Sequence, residues 1–140
     1  DETSGQDVAD LITSAHEDRI PVYMSIVNAG EVWYILAREI SEAQADKAVT
    51  DLTNLGIELI DADWSLTRSA GTFKARHRMS YADCFAAALA KDRKSELVTG
   101  DKVARYLSAE LRDRIRTTGV TPPSVPVTKA SSAEYTCARV

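Results

Sequence analysis

Residues 80–102 read SYADCFAAALAKDRKSELVTGDK, and the fold that we predict rests mainly on them. Ser80 can cap an alanine-rich helix over residues 81–92, and an apolar strand follows at 96–99. Asp83 lies in the helix and Asp101 follows the strand. A charge is costly to bury beside small apolar side chains, so two acids placed in this way indicate a functional site. The alternatives are that Asp83 interacts favourably with its helix dipole and that Asp101 caps the next helix.

The rest of the chain alternates between helical and strand patterns. The apolar spacing predicts helices at residues 1–18, 26–40, 41–55, 64–75 and 102–116, and strands at 22–24 and 57–60. Ser25 and Ser41 are placed to cap two of these helices, and Gly56 to end one in a left-handed conformation. Strands that alternate with helices predict an α/β fold, in which a parallel sheet is flanked by helices.

The last part of the sequence differs in composition. Pro122, Pro123 and Pro126 are followed by threonine, lysine and serine residues. This composition is typical of an extended or disordered segment. We therefore predict a domain at residues 1–119 and a flexible polar tail at 120–140.

Composition restricts the class of protein. The chain has 140 residues, 44% hydrophobic residues and a net charge of −4. It contains no apolar run near the roughly 20 residues that a membrane helix needs, so no membrane association is expected. Cys84 and Cys137 are too few for a disulfide framework, and a cytoplasmic location is expected. Because the chain is acidic overall, an RNA substrate would need a local basic patch or a bound cation.

Three carboxylates on three elements indicate a cation site. Glu31 lies on the helix after the first strand, with Asn28 on the same face. Together with Asp83 and Asp101 it supplies oxygen ligands, which favour Mg²⁺ or Mn²⁺. The alternative for Glu31 is an exposed position on its helix. His16 and His77 have no zinc-ligand spacing.

Three short motifs carry a family resemblance. They are Asn28-Ala-Gly-Glu31 after a strand, Ser80-Tyr-Ala-Asp83 opening the alanine-rich helix, and Leu97-Val-Thr99-Gly-Asp101 ending the next strand. In this order they resemble the PIN-domain ribonucleases, in particular the toxin subunits of VapBC toxin-antitoxin systems. The resemblance covers about residues 1–107. It implies a three-layer fold and a Mg²⁺-dependent endoribonuclease site.

The resemblance also assigns roles to residues. It makes Glu31, Asp83 and Asp101 the catalytic and metal-binding residues. Asn28, Thr99 and Ser80 would be supporting polar groups. The basic residues before Ser80 can hold flanking phosphates, with a solvated loop as the alternative; they are Lys74, Arg76 and Arg78. The implied partners are an RNA substrate, an antitoxin and a second copy of the chain, bound through helices of the first half.

The chain departs from the family at both ends. The family starts with a central strand that ends in a metal-binding Asp, whereas this chain opens with Asp1-Glu2-Thr3. We therefore expect an N-terminally truncated PIN-like fold that lacks the first strand. The family also ends in a short apolar strand, and Val125-Pro126-Val127 is a poor counterpart of that strand in this chain.

Two other functions remain open. A non-catalytic remnant or binding domain of the same fold is the alternative, because one acidic ligand is absent. A doubly wound nucleotide-binding or receiver-like domain ranks last, because a glycine-rich phosphate loop is missing.

Overall fold

A computed structural model describes residues 2–98, 115–116 and 127–129 of the chain. The helices within these ranges are α1 (Glu2–Glu17), α2 (Ile26–Glu39), α3 (Glu42–Asn54), α4 (Trp64–Arg76) and α5 (Tyr81–Arg93). The strands are β1 (Val22–Ser25), β2 (Ile57–Ile60), β3 (Glu96–Val98), β4 (Ile115–Arg116) and β5 (Val127–Lys129). The predicted α/β fold is confirmed. In the described part of the chain, no helix is both long and apolar enough to cross a membrane.

The sheet is parallel, in the order β2-β1-β5-β3-β4. β1 and β2 pair from Val22 with Ile57 to Ser25 with Ile60. Because all the pairings are parallel, the carboxyl ends of the strands lie at one edge of the sheet. α2 begins directly after β1 at that edge. Open α/β sheets place their ligands at this edge, so it is where a site is expected.

Helices cover both faces of the sheet. Alternate residues of a strand point to opposite faces, and β1 shows this clearly. Val22 and Met24 pack in a core cluster with Leu11 and Ile12 of α1. Tyr23 packs instead against the cluster that contains α5. The three-layer arrangement therefore follows from the alternation along β1.

α5 is the most buried helix. Each residue from Cys84 to Ala90 is buried, and the helix packs against α2, α4 and strands β1, β3 and β5. A helix that is apolar on all sides is expected to be surrounded. Alanine side chains are small enough for neighbouring elements to approach closely. The alanine-rich sequence thus places residues 84–90 in the core, and the half-buried Asp83 lies at the border of that core.

The C-terminal part differs from the prediction in two places. Residues 127–129 were predicted to lie in a flexible tail, but they form β5 between β1 and β3. The predicted helix 102–116 is wrong at its end, where Ile115–Arg116 forms β4 beside β3. The remainder of that helix lies outside the described residues. The domain boundary at residue 119 stays a prediction.

β5 lies at the centre of the sheet, between β1 and β3. The family resemblance implies a central strand from the start of the chain, whereas the strand between β1 and β3 here comes from residues 127–129. Sequence patterns did not identify it because Val127, Thr128 and Lys129 follow a proline and form no apolar run. It is a strand because its backbone pairs with β1 and β3, although its composition does not predict one.

Candidate active site

The start of α2 places the polar side chains of Ser25 and Asn28 at the carboxyl edge of the sheet. Ser25 caps the helix, and its hydroxyl oxygen accepts a hydrogen bond of 3.1 Å from the backbone N–H of Asn28. The Ser25 hydroxyl also donates to the side-chain oxygen of Asn28. Both residues are fully buried. The predicted cap is confirmed, and it fixes the orientation of the Asn28 side chain.

The start of α5 is built in the same way around Asp83. The Ser80 hydroxyl oxygen accepts from the backbone N–H of Asp83 at 3.1 Å. The same hydroxyl donates to Oδ2 of Asp83 at 2.8 Å. A serine cap with an acid three residues later is a common helix start. Two hydrogen bonds therefore join Ser80 to Asp83.

Asn28 joins these two helix starts. Its Nδ2 donates a hydrogen bond of 2.9 Å to the carbonyl oxygen of Ala82, which is 54 positions away in the sequence. The bond holds the first turn of α5 against the first turn of α2. Since Glu31 is one helical turn after Asn28, it lies on the face of α2 that this bond turns toward α5.

Glu31 and Asp83 lie close enough to interact electrostatically. Burial raises the pKa of the Asp83 carboxyl above its ordinary value, the hydrogen bond from Ser80 partly opposes the rise, and the charge of Glu31 adds to it. A carboxyl with a raised pKa, next to a second carboxylate at a sheet edge, is a typical functional-site arrangement.

The two oxygens of Asp83 differ in their surroundings. Oδ2 accepts from Ser80, whereas Oδ1 is buried and accepts no hydrogen bond from any described residue. A buried carboxylate oxygen without a donor is unfavourable unless a cation or another donor neutralises it. The oxygen donors of Asp83 and Glu31 therefore fit a Mg²⁺- or Mn²⁺-type ion.

The structure brings together four of the six residues predicted as catalytic, metal-binding or supporting groups: Asn28, Glu31, Ser80 and Asp83. The other two, Thr99 and Asp101, lie outside the described residues, so their roles stay predictions. Within the described ranges, no three His, Cys, Asp or Glu side chains cluster closely enough to hold a metal ion. A third carboxylate would have to come from elsewhere, as the prediction for Asp101 requires.

The three predicted RNA-binding residues lie at the end of α4 and in the loop before Ser80. Arg76 and Arg78 are exposed. Lys74 is also exposed, but its Nζ donates a hydrogen bond of 2.6 Å to the carbonyl oxygen of Met79. Lys74 thus has a structural contact that helps to shape this loop, and the two arginines are the better placed phosphate ligands.

Cys84 is not suited to nucleophilic chemistry, although it follows Asp83. The side chain is fully buried. Burial raises the pKa of the Cys84 thiol, the charge of Lys74 partly opposes this, and Asp83 adds to it. Because the thiolate is the reactive form, a buried thiol with a raised pKa is inert. The carboxylates, not this thiol, carry the chemistry that this site can perform.

Sequence reasoning did not find the bond from Asn28 to Ala82. The signal that was available is local, namely a serine followed three positions later by asparagine at a helix start. That signal predicts the cap but not a partner 54 positions away.

Comparison with known proteins identifies the family of the chain. The sequence profile of the PIN domain family matches residues 1–110, and the chain belongs to this family. The PIN domain is generally a nuclease fold, and its nucleases generally use divalent metals. No curated protein and no solved structure matched the chain.

Proposed function

We propose that this chain is a Mg²⁺-dependent endoribonuclease, of the kind that acts as the toxin in VapBC toxin-antitoxin systems. The observation that carries the proposal concerns Asp83, which lies near Glu31 at the carboxyl edge of the sheet in a PIN domain: its Oδ1 is buried and accepts no hydrogen bond from a described residue. Asp83 and Glu31 would hold the metal ion, with Asp101 as the third ligand. The bound ion would activate a water molecule and stabilise the negative charge that develops at the scissile phosphate.

The chain's own residues prepare the site. Ser80 orients the carboxylate of Asp83 through Oδ2 and leaves Oδ1 directed elsewhere. Asn28 fixes the distance between the two acid-bearing helices. Arg76 and Arg78 would attract the RNA backbone to a protein of net charge −4. We also propose that the protein acts in the cytoplasm.

RNA cleavage by the purified chain tests the proposal. We expect cleavage with Mg²⁺ or Mn²⁺, and its loss when EDTA is added. Asp83→Asn keeps the size of the side chain but removes its charge, and should lower the cleavage rate by more than the roughly 10–100-fold that the loss of an outer-shell partner of a metal site costs.

Asp92→Asn is the matched control. Asp92 is exposed at the other end of α5, so this variant should cleave RNA at the wild-type rate. Cleavage that persists in EDTA and in Asp83→Asn would contradict the proposal. A folded wild-type chain that neither cleaves RNA nor binds Mn²⁺ would favour the alternative of a non-catalytic domain.

The proposed class of toxin implies two protein partners. One is an antitoxin that binds the chain and blocks the carboxylate site. The other is a second copy of the chain, bound through helices of the first half. Tyr34 in α2 and Ile40 after it are 51% and 64% exposed, which supports an interface in that half.

A further inference from the structure

Lys74 links the end of α4 to the residue that precedes the cap of α5. It lies in the last turn of α4, and residues 77–80 form the loop between the two helices. Its Nζ donates a hydrogen bond of 2.6 Å to the carbonyl oxygen of Met79. The side chain of Met79 is buried in the same apolar cluster as α5. The loop is therefore held at Met79 twice, by a side chain in the core and by a carbonyl group bonded to Lys74.

The other backbone hydrogen bonds around this loop do not hold the peptide group between Met79 and Ser80. His77 caps the end of α4 through its backbone N–H. The backbone N–H of Cys84 donates to the carbonyl oxygen of Ser80 at 3.1 Å and belongs to the first turn of α5. Within the described part of the chain, the donor that reaches the oxygen of the intervening peptide group is Lys74.

This peptide group determines how Ser80 is oriented. The Met79 carbonyl and the Ser80 N–H belong to one planar unit. A rotation of that unit changes φ of Ser80, which is −62° in the extended conformation of a helix cap, and it redirects the Ser80 hydroxyl. The same hydroxyl holds the backbone N–H of Asp83 at 3.1 Å and Oδ2 of Asp83 at 2.8 Å. Lys74 is thus connected to Asp83 through two residues in series.

The ammonium group of Lys74 lies close to the start of α5. Burial raises the pKa of the Cys84 thiol, and the charge of Lys74 partly opposes this rise. Cys84 directly follows Asp83 in the helix. In the part of the chain that the structure describes, Lys74 forms no ion pair with a carboxylate. Its bond to the Met79 carbonyl is charge-assisted, and such bonds are shorter and stronger than those between neutral groups. Lys74 is therefore a strong anchor for the loop that leads into α5.

We propose that Lys74 is a positioning residue of the carboxylate site. By holding the Met79 carbonyl it sets the orientation of Ser80, and through Ser80 it sets the orientation of the Asp83 carboxylate. The proposal rests on the nuclease function proposed above. In this role Lys74 acts through the protein and is not a ligand of an RNA phosphate, a role that the exposed arginines of this region keep.

The Mn²⁺ affinity of the chain without RNA, measured by titration calorimetry, tests this role. Lys74→Met keeps the apolar stem and removes the ammonium, so it should weaken Mn²⁺ binding by roughly 10–100-fold, the loss typical of outer-shell partners of metal ligands. Lys74→Arg keeps a charged donor and should restore most of the affinity. Arg68→Met is the matched control. Arg68 is exposed on α4, so this variant loses the same charge from the same helix and should bind Mn²⁺ as the wild type does.

A double-mutant cycle shows whether Lys74 acts through Ser80. Ser80→Ala removes the hydroxyl that holds Asp83, and should itself weaken Mn²⁺ binding. If the two residues act in series, Lys74→Met should cost little further affinity in the Ser80→Ala background. Independent roles would give additive losses. Thermal melts establish that each variant is folded. If Lys74→Met does not fold, Lys74→Gln takes its place in the cycle, because it is shorter and uncharged but still polar.

Hydrogen exchange of the Asp83 amide in EDTA tests the positioning without metal or RNA. Because Ser80 holds this N–H, Lys74→Met should speed its exchange by roughly tenfold or more relative to the amides of α3. A wild type that shows this difference in exchange but binds no Mn²⁺ would contradict the metal-dependent nuclease function alone.

Four results would overturn the role of Lys74. They are unchanged exchange of the Asp83 amide in Lys74→Met, unchanged Mn²⁺ affinity in that variant, an equal loss of affinity in Arg68→Met, and additive losses in the cycle with Ser80→Ala. Weaker RNA binding by Lys74→Met in EDTA, together with unchanged Mn²⁺ affinity, would make Lys74 a phosphate ligand instead.

Discussion

Asp83 shows how a single residue can be unfavourable for folding and useful for a site. Its backbone N–H and its Oδ2 are both bonded to Ser80, which stabilises the start of α5. Its Oδ1 is buried without a bond to a described residue. The carboxylate therefore destabilises the metal-free fold, and this cost is what a cation would offset.

The pH dependence of stability tests this interpretation. Burial raises the native pKa of Asp83 above the value of about 3.8 expected in the unfolded chain. Between these two pKa values the native state binds more protons than the unfolded state, so this group lowers the free energy of unfolding as the pH rises through that interval. Asp83→Asn removes the effect and keeps an acceptor for Ser80. In EDTA the variant should melt a few degrees above the wild type at pH 7, and the difference should shrink as the pH falls toward 4.

Asp92→Asn again serves as the control. Its difference in melting temperature from the wild type should not shrink in this way as the pH falls from 7 toward 4. An Asp83→Asn variant that is less stable than the wild type at pH 7 would contradict the interpretation. So would a difference in melting temperature that stays constant with pH.

Among the elements, β5 is a short strand that pairs on both of its sides. It has three residues, yet it pairs with β1 on one side and with β3 on the other. Thr128 is in register with Tyr23 of β1 and Leu97 of β3. Without β5, the backbones of both neighbours would lose their partners on the facing sides, and each unpaired buried group is costly. A segment of polar composition is thus a central strand of the fold.

A proline in β5 tests its importance. Proline has no backbone N–H and is poorly tolerated in a central strand, so Thr128→Pro should lower the free energy of unfolding by roughly 2 kcal/mol or more. Thr128→Val keeps both the N–H and the β-branched shape, and should change stability little. Urea denaturation followed by circular dichroism measures both. Equal midpoints for the two variants would mean that residues 127–129 do not stabilise the fold.

For the whole molecule, the question is whether two copies associate. Tyr34 and Ile40 are exposed apolar side chains in the half of the chain where the dimer is proposed. Arg38 lies over the ring of Tyr34, with its guanidinium carbon 5.9 Å from the ring centroid, and restricts that ring at the surface. Aromatic side chains and arginine are enriched at interfaces, so this pair fits a protein contact.

Sedimentation velocity tests the dimer. At tens of micromolar we expect a dimer of the wild type, and dissociation at least tenfold easier for the double variant Tyr34→Ser, Ile40→Ser, because truncating central interface residues typically costs more than 1 kcal/mol each. Trp64→Ser removes an exposed aromatic ring elsewhere and should leave the dimer intact. A monomeric wild type, or dissociation only in Trp64→Ser, would contradict the proposal.

Features that depend on neighbours three or four positions away could be predicted from the sequence alone. Ser25, Ser41 and Ser80 cap helices as predicted, and Gly56 adopts its left-handed conformation with φ of +90°. The alternation of strands and helices gave the parallel α/β fold. These predictions succeeded because a cap, a turn or a helix period is a local interaction.

How these local elements pack together could be seen only in the three-dimensional structure. The bond from Asn28 to Ala82 spans 54 positions, and β5 becomes a strand through its pairing with β1 and β3. That Asp83 Oδ1 is buried without a hydrogen bond from a described residue depends on packing between elements, which no pattern in the sequence around residue 83 encodes. Partners distant in sequence are set by chain topology and packing. The sequence therefore supplied the acids, and the fold brought Asp83 and Glu31 together.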